Sequence, residues 1–358
     1  MNYKETLYFV ASCLTISLDT ENKLTIQKQL QSGNIDWDAV VKVSTGHFVF
    51  PALYCNLKRA DFLQYLPQEL VSYMEYITNL NRDRNQQIIA QAKELNTLLL
   101  ANKIIPIFLK GTGNLLEGLY EDIAERMVGD IDFIFSKEDY PKAIAVLENE
   151  KYYSEIEIVK FHWHYPRLVR VNKIAAVEIH NKVLKQPYSA ILSFEHLNKD
   201  AEFFSNIKVA SSHDKLLNSV LPKQINDNLY HSKDISLRTV YDVFLLCKKS
   251  NGLLPKTKIK KVDKRFNNFI GCANSLLKIK NLNDFKETNS SKKYLSNYIS
   301  ALNKSKKEKL KIQILNILVK LKDYLNIFRY SFTSRDYREH ALNRLTSMAF
   351  YKRRFRIK

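Results

Sequence analysis

The chain has 358 residues, 45% of them hydrophobic, and a formal net charge of +19 at pH 7 from 56 Lys and Arg against 37 Asp and Glu. That length accommodates two or three domains around a substantial core, and no apolar run approaches the roughly 20 residues of a membrane-spanning helix. The N-terminus lacks the apolar region of a signal peptide, and Cys13, Cys55, Cys247 and Cys272 are scattered without a Cys-x-x-Cys pair, so a cytoplasmic protein with buried free thiols is expected rather than a zinc knuckle or disulfide framework.

Residues 1 to 102 read as helices. Asn34-Ile35-Asp36-Trp37-Asp38 starts one, with a short polar residue ahead of an apolar-periodic run, and Pro51 marks a helix start or a kink. Ile88, Ala92, Leu95 and Leu99 share one face at helical spacing and predict a core stripe. His47 and Tyr54 can lie near a nucleotide, but a satisfied core histidine and a packed aromatic ring are the expectation.

Residues 103 to 195 are mixed. An apolar run from 104 to 109 ends at Lys110-Gly111-Thr112-Gly113, and a helix-like segment follows. A second apolar run, 131 to 135, carries Asp130 and Asp132 at its start. Strand residues two apart point to the same face, so these carboxylates project into one small volume. Like charges so close repel unless a cation sits between them, and hard oxygen ligands suit Mg²⁺. Glycine lets backbone approach a ligand, and a helix beginning at the glycine turn aims free N–H groups at an anion. Lys110 and Arg126 add positive charge.

Further on, Ser136 and Asp139 are candidate caps for a helix to about residue 149, with Pro141 in its first turn. Residues 160 to 171 and 174 to 183 read as two antiparallel strands joined near Asn172-Lys173. Glu178 lies in the second; a charge in an apolar strand costs energy unless it is paired, here with Arg167 or a lysine, or coordinates a metal. His180 shares its face and can orient a carboxylate, touch a phosphate or simply fill the core. Which of His162, Trp163 and His164 faces the same pocket depends on the hairpin register.

Residues 196 to 247 read as helical, one segment opening at Ser212-His213-Asp214-Lys215 and another carrying Arg238 and Asp242 at the i,i+4 spacing of a surface ion pair. Lys248 to Pro255 is a linker signal. Helices are expected at 263 to 277 and at 304 to 328, the latter amphipathic, with Leu310, Ile314, Leu315, Leu318, Leu321 and Leu325 on one side. It reads as a packing helix, with a membrane-surface or partner helix as the alternative. From Lys248 onward there are 29 Lys and Arg against 7 Asp and Glu, whereas the preceding residues hold 27 against 30. The excess charge is therefore C-terminal, where it favours nucleic acid or an anionic membrane face unless it is only a solvated lysine-rich surface. The end, Phe350 to Lys358, interleaves aromatic residues with arginines, a pattern that can contact phosphates and stack on bases.

Lys110-Gly111-Thr112 followed by Gly129-Asp130-Ile131-Asp132 resembles the polymerase-β-type nucleotidyltransferase superfamily. It is most similar to the branch of uncharacterised bacterial nucleotidyltransferases with a Leu-Lys-Gly turn and an Arg-x-x-x-Asp-x-Asp strand. The resemblance takes in Ile35 to Asp38, Pro51 to Tyr54 and Val177-Glu178-Ile179-His180, and covers roughly residues 30 to 245. The chain departs from the superfamily in having Thr112 where Gly or Ser is common, a longer gap from Gly111 to Asp130, and Glu178 where most relatives have Asp.

The resemblance implies an α+β fold, a mixed nucleotidyltransferase-like sheet flanked by helices. The element pattern, the linker signal and the charge shift divide the chain into an N-terminal helical region (1–102), a catalytic core (103–195), a helical region on that core (196–247) and a basic helical C-terminal region (248–358). Asp130, Asp132 and Glu178 would be catalytic residues and ligands of Mg²⁺ or Mn²⁺. Lys110, Gly111, Thr112, Gly113, Arg126 and His180 would bind the nucleotide and its phosphates. The implied reaction moves an NMP from an NTP to an acceptor hydroxyl, on RNA (a tRNA end, for example) or a protein side chain, with a sugar phosphate or aminoglycoside as the small-molecule alternative. An inactive RNA-binding or membrane-associated module is the remaining reading.

Overall fold

Five N-terminal helices build the wall on which the rest is placed: α1 (Tyr3–Cys13), α2 (Thr20–Gln31), α3 (Trp37–Gly46), α4 (Phe50–Arg59) and the 34-residue α5 (Gln68–Ala101). Their starts are chemically marked. Asn2 and Glu5 form a capping box on α1, the Asp19 and Asp36 carboxylates accept from the first-turn N–H groups of α2 and α3, and Pro51 lies in the first turn of α4. The expected stripe of Ile88, Ala92, Leu95 and Leu99 is buried along α5. The computed structural model describes residues 1–154, 163–280, 282–302 and 306–346.

The sheet is small and mixed. Its strands are β1 (Ile107–Phe108), β2 (Asp130–Ile134), β3 (Ala176–His180), β4 (Glu202–Phe204) and β5 (Ile207–Val209), in the order β3-β2-β1-β5-β4. β2 runs parallel to β3 with Asp132 opposite Glu178, while β1 is antiparallel to β2 and parallel to β5. Helices α6 (Lys110–Leu116), α7 (Asp139–Asn149) and α8 (Phe194–Lys199) lie between the strands. The Ser136 hydroxyl accepts from Asp139 N–H at 3.0 Å, as its capping role required. Phe108, Phe133 and Phe135 pack edge to face in the core.

The hairpin ahead of β3 differs from expectation. Residues 160 to 162 lie outside the described residues, and 163 to 171 do not form a regular strand. Among the described residues its strand-like pairing is by isolated antiparallel bridges, Tyr153 to Val169, His164 to His180 and Leu168 to Val177. Pro166 interrupts it, because proline has no N–H to give a ladder. The turn at Asn172 is present, with a positive φ of 65°.

After the sheet come α9 (Ser212–Ile225), α10 (Leu229–Ser232), α11 (Leu237–Lys249), α12 (Lys260–Leu277), α13 (Asn289–Leu302), α14 (Lys306–Ser331) and α15 (Arg335–Thr346). α12 packs on α1, α9 and α11, tying the first helix to the elements that follow the sheet. Tyr8 and Ser275 share a hydrogen bond of 3.1 Å across that contact. The four cysteines are buried and free. α14 departs from the packing helix expected of it: Leu310, Ile314, Leu318, Leu321 and Leu325 are all exposed.

Candidate active site

The loop between α6 and β2 is fastened from behind before it reaches the site. Asn81 and Asn85 on α5 donate to the Ala124, Ile123 and Arg126 carbonyls. Arg82 binds Asp122, and Arg59 binds the buried Glu125, which also accepts from Tyr241 at 2.6 Å. Gln91 bridges from α5 to both backbone groups of Ala175, just before β3. These contacts fix Arg126 and the heads of β2 and β3 relative to one another.

On that frame the parallel register brings acids together. The ligand atoms of Asp132, Glu178 and His180 all lie within 4.8 Å of one another. His180 Nε2 is 2.9 Å from Asp132 Oδ1 and 3.6 Å from Glu178 Oε2. Lys110 reaches the same oxygens, 2.6 Å from Asp132 and 3.4 Å from Glu178. Asp130, at the open end of the strand, is held by Arg167, whose Nε is also 3.7 Å from Glu178. Burial alone would raise Glu178, but the bond to His180 and the Lys110 charge hold it well below the usual carboxylate range. Asp130 moves the other way, raised by burial and by the Glu178 charge. Burial opposes the Lys110 ammonium, yet Asp132 and Glu178 keep its pKa above the ordinary lysine value.

The glycine turn divides its tasks. Lys110 has a positive φ of 49°, a conformation costly for a residue with a Cβ. Gly111 faces the cavity and makes room for Arg126: a Cβ there would stand 3.3 Å from the guanidinium carbon and 3.0 Å from a Val128 methyl. Gly113 instead packs on β1, where a Cβ would come within 2.9 Å of the Phe108 carbonyl oxygen. Thr112 donates its hydroxyl to the Asp130 carbonyl at 2.7 Å. Lys110, Gly111, Arg126, Asp130, Asp132, Glu178 and His180 line one cavity of about 390 Å³; Thr112 and Gly113 support its floor from outside.

The opposite wall comes from α9 and α11, in the helical region expected on the core, but sequence alone singles out neither Asn218 nor Lys223 on it. Asp242 accepts two bonds from Arg126 Nε, at 2.9 and 3.0 Å, and a third from Tyr120. The pair expected within α11, Arg238 with Asp242, is thus replaced. A buried guanidinium needs a charged partner more than a half-buried one does, and Arg238 instead donates to the Met127 carbonyl at 3.1 Å. Arg238 and Lys223 both face the cavity. Burial and the adjacent Arg126 push Arg238 down to about 10, and burial with the Arg238 charge lowers Lys223. Asp242, joined for Lys223 by Asp227, offsets part of this lowering. Asn218, also on this wall, is buried with neither amide atom hydrogen-bonded. Trp163 and His164 line the cavity, while His162 lies outside the described residues. His47 and Tyr54 stay structural, bonded to Tyr3 and Leu237 N–H and to Glu75.

A family model described as uncharacterised nucleotidyltransferase matches residues 33–278, more than two thirds of the chain. The chain belongs to that nucleotidyltransferase family. The match takes in the whole sheet and both walls of the cavity, and ends at the close of α12, before α13, α14 and α15. Searches of curated proteins and of solved structures found no match. A divalent cation fits this nucleotidyltransferase's acidic wall, which offers two carboxylates and an imidazole on a common centre. The expected trio of Asp130, Asp132 and Glu178 faces one cavity, but the tightest cluster has His180 in place of Asp130. His180 Nδ1 is buried without a hydrogen-bond partner, and Nε2 is the nitrogen directed at Asp132.

Proposed function

We propose that the protein transfers a nucleoside monophosphate from an NTP to an acceptor hydroxyl, releasing pyrophosphate, with Mg²⁺ or Mn²⁺ at Asp132, Glu178 and His180. The observation that carries this reading is the polarity of the cavity. Asp132, Glu178 and His180, with Lys110 between the carboxylates, line one side; Arg126, Lys223 and Arg238, with Asp227 and the Asp242 that pairs with Arg126, line the other. A triphosphate needs both, a cation site at its reacting end and fixed positive charge for the departing pyrophosphate.

When bound, the divalent ion polarises the α-phosphorus and lowers the pKa of the attacking hydroxyl. The chain's own groups do the rest. Asp132 and Glu178 supply oxygen ligands, and the depressed pKa of Glu178 suits a ligand better than a base. Arg126, locked by Asp242 against Gly111, receives phosphate oxygens without losing side-chain freedom at that moment. Lys223 and Arg238 regain their ordinary basicity as an anion enters. Asn218 offers one donor pair and one acceptor to the nucleotide. Imidazole next to carboxylate favours Mn²⁺ as an alternative to Mg²⁺.

The acceptor hydroxyl is that of RNA or a protein side chain, with a small molecule as the alternative. The test is incubation with each α-labelled NTP, Mg²⁺ or Mn²⁺, and either total RNA or cell lysate. Label is expected on one macromolecular band with wild type, and a loss of about a thousandfold is expected with Asp132→Ala or Glu178→Gln. Equal labelling by wild type and both variants, or none under any combination, removes the reading.

A further inference from the structure

α14 has two unlike sides. Its inner side carries Asp323, which is 3.3 Å from Lys185 Nζ and accepts from Asn228 at 3.1 Å. Its outer side carries Leu310, Ile314, Ile317, Leu321, Leu325 and Phe328, each between 50% and 68% exposed. Steps of three and four residues place them in one stripe, and the 18 helical rises from Leu310 to Phe328 make it about 27 Å long. Lys320, Lys322 and Arg329 flank the stripe and are exposed. From 310 to 334 the one acid in the sequence is Asp323, and it turns inward. Residues 340 to 358 add six Lys and Arg and no Asp or Glu.

A soluble surface rarely leaves so long an apolar stripe uncovered. Charge decides what covers it. A second copy would bring the same lysines and arginine face to face with no acids between them. RNA would satisfy the basic flanks and leave the aliphatic stripe in water. An anionic lipid surface satisfies both, taking the side chains at the acyl boundary and the cations at its phosphates. No helix is long and apolar enough to cross a membrane among the described residues, so an α14 that meets lipid lies in the plane.

We infer that α14 docks the protein on an anionic membrane, its Leu310-to-Phe328 stripe in the interface and Lys320, Lys322 and Arg329 against the headgroups. The inner side of the helix touches Asn228, next to Asp227 and Asn226 of the catalytic cavity. Docking therefore places the cavity rim about one helix thickness, on the order of 10 Å, from lipid. The inference does not rest on the transferase reading.

Full-length protein is sedimented with vesicles of equal parts phosphatidylglycerol and phosphatidylcholine, or of phosphatidylcholine alone. Wild type sediments with the first and not the second. A triple change, K320Q with K322Q and R329Q, weakens binding on the order of a hundredfold. A second triple, I317S with L321S and L325S, abolishes it. Circular dichroism and thermal melting of both variants are expected to match wild type, which separates lost docking from lost folding. Wild type that stays in the supernatant with both vesicles overturns the inference, as does an apolar triple that binds like wild type. A dimer seen by light scattering that the apolar triple dissolves assigns the stripe to a second copy. Salt-sensitive RNA binding without vesicle binding assigns the charge to RNA. Vesicle binding with no transfer leaves the docking standing and counts against the enzyme alone.

Discussion

Lys110 is the residue on which the acidic wall depends. Its ammonium is the counter-charge closest to Asp132, and it occupies a left-handed backbone position, which costs about 1–2 kcal/mol. Strain retained at such a place goes with function. Lys110→Met therefore leaves Asp132 and Glu178 without their ammonium. Melting curves of this variant are expected to rise more with added Mn²⁺ than those of wild type, because ligand that binds only the folded state stabilises it. An identical rise in both would show that the ammonium and the ion do not share the site. Asp122 gives a pH-dependent counterpart outside the cavity. Burial would raise its carboxyl, but the bond to Arg82 and the Ala124 N–H hold it below its ordinary value. The stability it contributes is therefore present above the ordinary carboxylate pKa and is lost as pH falls through the depressed folded value. Asp122→Asn keeps a capping oxygen while removing the charge. It should cost about 1 kcal/mol at pH 7 in urea titrations, with the deficit closing toward pH 3. A deficit that is constant with pH would contradict the ion-pair origin.

At the scale of elements, the two glycines of the α6 turn separate folding from binding. Gly113 lies against the Phe108 carbonyl, where a methyl has no place to go. Gly113→Ala should lower unfolding stability by about 1–3 kcal/mol, read from denaturant midpoints; an unchanged midpoint would refute the packing role. The same turn shows what the sequence could reveal. Period-two logic placed Asp130 and Asp132 on one face and Glu178 with His180 on another strand, and the parallel register of β2 and β3 joined them. Helical spacing found the α5 stripe for the same reason: local geometry alone sets which side chains share a face. The basic wall was hidden because nothing local marks it. Asn218, Lys223 and Arg238 become neighbours of Arg126 only when α9 and α11 fold across the sheet. Asp242 illustrates the limit well. Four residues from Arg238 in sequence, it pairs with an arginine 116 positions away because burial makes that charge the costlier one to leave alone. The strand expected from 160 to 171 also fails over 163 to 171, where Pro166 reduces it to single bridges.

Across the whole molecule, charge is sorted by location rather than spread. The residues before Lys248 are nearly neutral, yet their cavity opposes acids to cations across a few ångströms; the C-terminal third carries the surplus. Helix α5 is the common support, bonded to the Arg126 loop, to the residue before β3 and, through Asn96, to the carbonyl before β5. Such a frame holds both walls ready before substrate arrives, which is the condition for electrostatic stabilisation at low reorganisation cost. On the proposed reading the two walls are interdependent: an ion at Asp132 and Glu178 would favour a polyphosphate at Arg126 and Arg238, and the reverse. The most direct test is an electron-paramagnetic-resonance titration of Mn²⁺, with and without an NTP, on wild type and on Asp132→Ala. The account predicts one tight Mn²⁺ site in wild type, at least about tenfold tighter when NTP is present, and lost in the variant. Mn²⁺ binding that is equal in the two proteins and indifferent to NTP would contradict it.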